Sequence, residues 1–209
     1  MKIQWLGHSS FLIETNGIKI LTDPFNNSIG YTTIFPAVDI VLVSHEHFDH
    51  NAVENVPSYT QVLRGSVEKE LEGIKIKGIA GYHDNQKGSL RGKITMFKVQ
   101  SEDISLLHLG DLGTLLTDEQ LKEIGEVNIV MVPVGGKYTI GPEEAWEVIK
   151  QLNPKIVIPM HYNTPFLTLD ILPLDNFLEG KPYEEKDVLE ITSSTLPGAL
   201  QIITFPYPK

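Results

Sequence analysis

Five stretches of the chain share one pattern, a short aliphatic or β-branched run followed at once by histidine, aspartate or glycine. They are residues 18–23, ending in Asp23; 40–45, ending in His45; 104–111, ending in Gly110 and Asp111; 129–136, ending in Gly135 and Gly136; and 155–161, ending in His161. Continuous apolar runs of this length predict buried strands. The polar residues that end them then gather at the carboxyl ends of a sheet, where open α/β folds hold their ligands. Between the runs lie helix signals. Thr117 and Gln120 have capping-box spacing ahead of Leu121 and Ile124. Pro142 stands at a first helical position, followed by an apolar face of Ala145, Trp146, Val148, Ile149 and Leu152 and a stop at Asn153-Pro154. Trp146 is expected in the core, and residues 66–71 are expected to form another short helix. At the start, residues 2–6 and 10–14 predict antiparallel strands, with a tight turn at Asn16-Gly17 before Ile18. No linker or tandem repeat divides the chain, so a single domain over residues 1–209 is expected, with two sheet layers covered by helices.

Charge and composition narrow the function. The 209 residues include 17 Lys+Arg and 27 Asp+Glu, a formal net charge of −10. Phosphate backbones are bound chiefly by Lys and Arg, and the only arginines are Arg64 and Arg91, so a dedicated nucleic-acid binder is disfavoured. The absence of cysteine removes disulfides, thiolate ligands and a Cys nucleophile together. Residues 1–8 are interrupted by polar groups too early for a signal-peptide core, and no window approaches the roughly 20 apolar residues of a membrane span. The expectation is a cytoplasmic protein with a small-molecule substrate and no nucleic-acid or membrane partner. A homo-oligomer is compatible.

The seven histidines change the picture. His45, His47, Asp49 and His50 fall within six residues directly after a predicted strand. Side chains alternate in an extended segment, so His45 and His47 face one way and can grip one metal. The turn that follows can swing Asp49 and His50 towards a second. Each ion then needs one more protein ligand, for which His83 and His161 are the candidates, and Asp111 is the candidate bridge. His8 has either a pocket role, hydrogen bonding to substrate, or a structural role in a turn. His108, three residues before Asp111, reads as a structural or ligand-orienting histidine and as the replacement should His83 not be a ligand. Lys137, after two glycines, is either an anion hook or a solvated turn residue. Asn163 is a candidate donor to a developing oxyanion. The uncharged stretch 24–38, with Phe25, Tyr31 and Phe35, reads as a substrate wall, an oligomer contact or core.

The set of His45, His47, Asp49 and His50 in H-x-H-x-D-H order, with a strand ending in Asp23, a later His83, the Gly110-Asp111 pair and a last His161, resembles the metallo-β-lactamase superfamily. Residues 6–14, 133–142 and 161–164 resemble more narrowly the branch that includes ascorbate-6-phosphate lactonase and related small metal-dependent hydrolases. The resemblance covers about residues 2–165. It implies an α/β four-layer αβ/βα sandwich with the site at the edge between the sheets. It also implies that His45, His47 and His83 hold one metal, Asp49, His50 and His161 the other, and that Asp111 bridges them. Asp23 would orient a ligand histidine through its free ring nitrogen. The implied cofactors are two divalent ions, Zn²⁺ first and Mn²⁺ or Fe²⁺ as alternatives. Metal-bound water has a pKa of about 7. The implied reaction is therefore attack of a metal-bound hydroxide on a lactone, ester or phosphoester of a small anionic substrate, with Asp49, His8 and Asn163 as catalytic candidates. Competing readings are a nuclease of tRNase Z type, which the acidic charge disfavours; a β-lactamase, disfavoured without an export signal; and a glyoxalase II-like thioester hydrolase. A non-catalytic metal module is a further reading, as is a mononuclear iron protein on the same fold, in which Asp49 and His50 would not both be expected.

Overall fold

The computed structural model describes residues 1–207. In chain order the first strands are β1 (Lys2–Gly7), β2 (Ser10–Thr15), β3 (Ile18–Thr22), β4 (Ile40–Val43), β5 (Gln61–Arg64) and β6 (Glu68–Leu71). There follow β7 (Ile74–Tyr82), β8 (Lys93–Ser101), β9 (Ile104–His108), α1 (Asp118–Ile124), β10 (Ile129–Pro133), α2 (Pro142–Leu152) and β11 (Ile156–Met160). The chain finishes with α3 (Leu174–Leu178), β12 (Glu184–Glu185), β13 (Leu189–Glu190) and β14 (Gln201–Thr204). All five apolar runs are strands. They sort into two mixed sheets, ordered β13-β1-β2-β3-β4-β5 and β12-β14-β11-β10-β9-β8-β7-β6.

The strand period of two decides which layer each side chain enters. In β4, Ile40 and Leu42 join the core between the sheets, while Val41 and Val43 join a second core on the outer face. That outer core is filled by Phe25, Ile29, Tyr31 and Phe35. Of the readings of stretch 24–38, core packing therefore accounts for the aromatics: this segment, with a single 3₁₀ turn at Asn27–Ile29, covers the first sheet. On the second sheet the cover is helical. Ala145, Val148, Ile149 and Leu152, spaced three and four apart along α2, are all buried. Pro142 opens that helix and Asn153, in the left-handed region, closes it. Thr117 and Gln120 form the reciprocal capping box of α1. Trp146 is half-buried and stacks flat on Phe177 at 4.7 Å between ring centroids.

Residues 66–71 do not form the expected helix. Glu68–Leu71 is strand β6, antiparallel to β7, with Leu71 opposite Ile74. Its side chains alternate between exposed and half-buried, a period of two. Glu72 and Gly73 both have positive φ, as a two-residue hairpin turn requires. The long β7–β8 hairpin behind it is not among the predicted strands, although Ile74-Lys75-Ile76-Lys77 carries the same alternation.

The topology fixes where the chemistry lies. β3 and β4 run parallel, as do β9, β10 and β11, so their carboxyl ends point the same way within each sheet. Asp23 and His45 follow the first pair; Asp111 and His161 follow the second set. Among the described residues no helix is long and apolar enough to cross a membrane.

Candidate metal centre

Each strand end delivers one or two side chains to a common point. His45 follows Ser44 at the end of β4, and His47 follows two residues later. The chain then turns, with the N–H groups of His50 and Asn51 both donating to the His47 carbonyl at 2.9 and 3.1 Å. That turn brings Asp49 and His50 under the sheet edge. His83 leaves β7, Asp111 leaves β9 and His161 leaves β11.

All seven residues expected as metal ligands come together. His45, His47 and His83 form one group and His8, Asp49, His50 and His161 another, with donor atoms inside each group within 4.8 Å of one another. His45, His50 and Asp111 form a third group that joins the two. Asp111 Oδ2 lies 3.2 Å from His50 Nε2, 3.2 Å from His161 Nε2, 3.3 Å from His83 Nε2 and 3.8 Å from His45 Nε2. Asp49 Oδ2 lies 3.6 Å from His50 Nε2.

The far side of each imidazole is fixed. His50 Nδ1 donates to Asp23 Oδ2 at 2.9 Å. Ser44 Oγ donates to that same oxygen at 2.7 Å, and the Ser44 backbone N–H to Asp23 Oδ1 at 2.7 Å. With its proton committed to Asp23, Ser44 Oγ accepts from His45 Nδ1 at 2.9 Å. His83 Nδ1 donates to the Tyr138 carbonyl at 2.9 Å. Once the Nδ1 protons are used in this way, the Nε2 lone pairs of neutral His45 and His83 point into the centre, as metal ligation requires. His47 presents Nδ1, 3.1 Å from His45 Nε2 and 3.2 Å from His83 Nε2.

The residues fit divalent cations. His50 Nε2 and Asp111 Oδ1 are buried without a hydrogen-bond partner, although native interiors rarely leave such groups unpaired. Imidazole and carboxylate donors without thiolate suit zinc, manganese or iron. The electrostatics agree. Burial pushes His45 down to about 3, with His50 adding to the effect, and pushes His8 down to about 4, with His161 adding. Burial would also lower His50, but the Asp111 and Asp49 carboxylates hold it well above its ordinary value. Burial would raise Asp111, yet His161 and His50 hold it well below the usual carboxylate range. The chain thus keeps its site carboxylates ionised in a desolvated place, where a cation is the natural counter-charge.

Other expected residues take distinct places. His8 is fully buried, with Nε2 3.3 Å from Asp49 Oδ2 and its ring 4.2 Å from that of His161, so it is a member of the second donor group, although the sequence marked it only for a pocket or turn role. His8 and His161 both have φ of +52°, and the His161 N–H donates to the His8 carbonyl at 3.3 Å. His108 turns away: its Nε2 donates to the Ser9 carbonyl at 2.8 Å, and Gly110 N–H donates to its Nδ1 at 3.1 Å. It is thus a structural tie between the sheets. Asn163 donates its backbone N–H to Leu172 at 2.9 Å and does not line the cleft. Lys137 is exposed and paired to Asp170 at 2.6 Å.

The centre opens into a cleft of about 480 Å³ lined by His47, Asp49, His83, Asp111 and His161, with Phe48 and Leu169 apolar and Glu46, Arg91 and Tyr138 at its sides. A groove of about 540 Å³ elsewhere, among Lys75, Lys98, Glu102 and Asn128, has no such convergence of donors. Sequence reasoning missed three contributors. Ser44 could have been suspected as the hydroxyl between a strand and its ligand. Arg91 lies only eight residues past His83, and Tyr138 acts through a carbonyl that no residue type reveals.

A model of the β-lactamase superfamily domain matches residues 2–161. A UPF0173 metal-dependent hydrolase of Pelotomaculum thermopropionicum is 31% identical, over 93% of this chain and 94% of its own length. Another UPF0173 metal-dependent hydrolase, from Methanopyrus kandleri, is 30% identical over 78% of this chain and 85% of its own. A crystal structure from Thermotoga maritima, assigned to the Zn-dependent hydrolases of the metallo-β-lactamase superfamily, superposes with a TM-score of 0.81. It is 38% identical and covers 98% of this chain and 97% of its own.

Proposed function

The chain belongs to the metallo-β-lactamase superfamily and is a metal-dependent hydrolase, and we propose that it is a dinuclear enzyme that cleaves a lactone, ester or phosphoester of a small anionic substrate. Zn²⁺ is the ion proposed, with Mn²⁺ or Fe²⁺ as substitutes. The observation that carries this reading is the crowding of four imidazole Nε2 atoms, from His45, His50, His83 and His161, within 3.2 to 3.8 Å of one Asp111 oxygen. In this reading His45, His47 and His83 hold one ion, Asp49, His50 and His161 the other, and Asp111 serves both. Bound ions supply an acidified water and a polarised carbonyl or phosphoryl oxygen.

The chain's own residues do the remaining work. Asp23 and Ser44 hold the ligand imidazoles in one tautomer and one orientation. Asp49 stays ionised against its burial chiefly through His50, and His8, donating from Nε2 to Asp49 Oδ2, adds to this. The apolar side chains of Phe48 and Leu169 limit water around the substrate. Residues 1–209 act as one domain in this proposal, a reading supported by a hydrophobic cluster that runs from Met1 to Phe205 through both sheets.

The test is metal content per chain together with turnover of a panel of lactones, esters, phosphomonoesters, phosphodiesters and thioesters. Two ions per chain and hydrolysis of a lactone, ester or phosphoester are expected. A single tightly bound iron, or no hydrolysis across the panel, would overturn the proposal.

A further inference from the structure

We propose that Arg91, seated over the ring of Tyr138, is the anion-recognising group of the cleft and binds a carboxylate or phosphate carried by the substrate beside the bond that is cut. This rests on the hydrolase reading above and deepens it by assigning the group that selects the substrate.

Arg91 shares the cleft wall with His47, His83, Asp111 and His161. Its guanidinium carbon lies 5.4 Å from the Tyr138 ring centroid, in cation–π range. The neighbouring cations are already committed: Lys137 to Asp170 at 2.6 Å and Arg64 to Glu46 at 2.8 Å. Among the described residues no carboxylate lies within 4.0 Å of the Arg91 guanidinium, and none accepts a hydrogen bond from it. A planar fork of five donors is therefore left without a carboxylate partner at the wall between the cleft and the adjoining pocket beside Asp84 and Thr139, the geometry that suits oxyanions.

The mounting is rigid and begins at a metal-centre residue. Asp84, directly after His83, is 4% exposed and accepts four backbone N–H bonds: from Gln86 and Gly88 at 2.8 and 3.0 Å, and from Leu90 and Arg91 at 3.0 and 2.8 Å. One carboxylate thus winds residues 85–91 into a fixed loop. Tyr138, beneath the guanidinium, is bound through its carbonyl to His83 Nδ1. The cation and its platform both refer back to His83, so the spacing between anion and reacting bond is set before substrate arrives.

The deciding experiment needs no turnover. Inorganic phosphate and, separately, acetate are titrated into the chelator-treated protein while the Arg91 side-chain N–H signals are followed by NMR. The Arg91→Met variant is the control, followed through the backbone amides of the same loop. The loop is anchored by backbone N–H groups, which this substitution leaves in place. Saturable shifts with either anion in the wild type, lost in the variant, are expected; the anion that acts names the class. Shifts with neither, or loop shifts that survive in Arg91→Met, would overturn the proposal. In the metal-loaded enzyme, the preference in kcat/KM for an anionic substrate over its neutral analogue should fall roughly 10- to 100-fold in Arg91→Met. A protein that binds the anion through Arg91 but hydrolyses nothing would defeat the hydrolase reading and leave this assignment standing.

Discussion

Asp23 and His50, 27 residues apart, are joined by a 2.9 Å hydrogen bond between Oδ2 and Nδ1, and that same oxygen also receives Ser44 Oγ. Ser44 in turn holds His45. A single buried carboxylate therefore orients one histidine from each of the two donor groups. Asp23→Asn keeps the size and removes the charge. It is expected to weaken metal binding roughly 10- to 100-fold, read by competition with a chelator of known affinity. Unchanged affinity would show that the imidazoles need no such anchor.

Asp111 is the residue on which both donor groups converge. Asp111→Ala should leave one ion or none per chain where the wild type retains two, measured by elemental analysis after gel filtration. If the variant kept two tightly bound ions and full turnover of a substrate, the bridging role would be wrong.

Gly110 sits at φ of +53°, and a Cβ there would press on the Ser44 side chain. Gly110→Ala therefore combines a left-handed penalty of about 1–2 kcal/mol with displacement of the hydroxyl that holds His45. The melting temperature should fall by several degrees and metal affinity should fall with it. Gly17, at φ of +76° with nothing within 4 Å of the place a methyl group would take, is the control: Gly17→Ala should lower the melting temperature alone. Equal metal affinity in both variants would sink the argument about Ser44.

Removing metal should destabilise the fold, because His50 Nε2 and Asp111 Oδ1 would be left buried and unpaired. Adding back ion at a hundred times its dissociation constant should contribute about 2.7 kcal/mol. Calorimetry of chelated and reconstituted protein should separate the two by roughly 5–10 °C. Coincident melting curves would argue against a bound ion.

Much of the centre is legible in the sequence because its ligands ride on strong local signals. His45, His47, Asp49 and His50 follow an apolar run, and Asp111 and His161 end two others, so the strand rule alone puts them at carboxyl ends. Residues 66–71 mislead because a short stretch of Glu, Lys and Leu has no decisive period, and the Glu72-Gly73 turn settles it as a strand. Asn163 and Lys137 stand out by residue type and position, but type does not show which way a side chain faces. In the fold Lys137 meets Asp170, and the unpaired cation of the cleft is Arg91.

The sequence by itself determined the strands, the ligand types and their order along the chain, since these depend on side-chain period and on which atoms can donate to a metal. Only the tertiary structure decided the pairings that make the donors usable: Asp23 with His50, Ser44 with His45, the Tyr138 carbonyl with His83, and Asp84 with the loop that carries Arg91. Two of these contacts, Asp23 with His50 and Tyr138 with His83, join segments far apart in the chain, the other two are local, and two run through backbone groups that every residue possesses. Local pattern does not show which way these groups turn, and the two long-range contacts exist only once β3 has paired with β4 and the loop after β10 has met the end of β7.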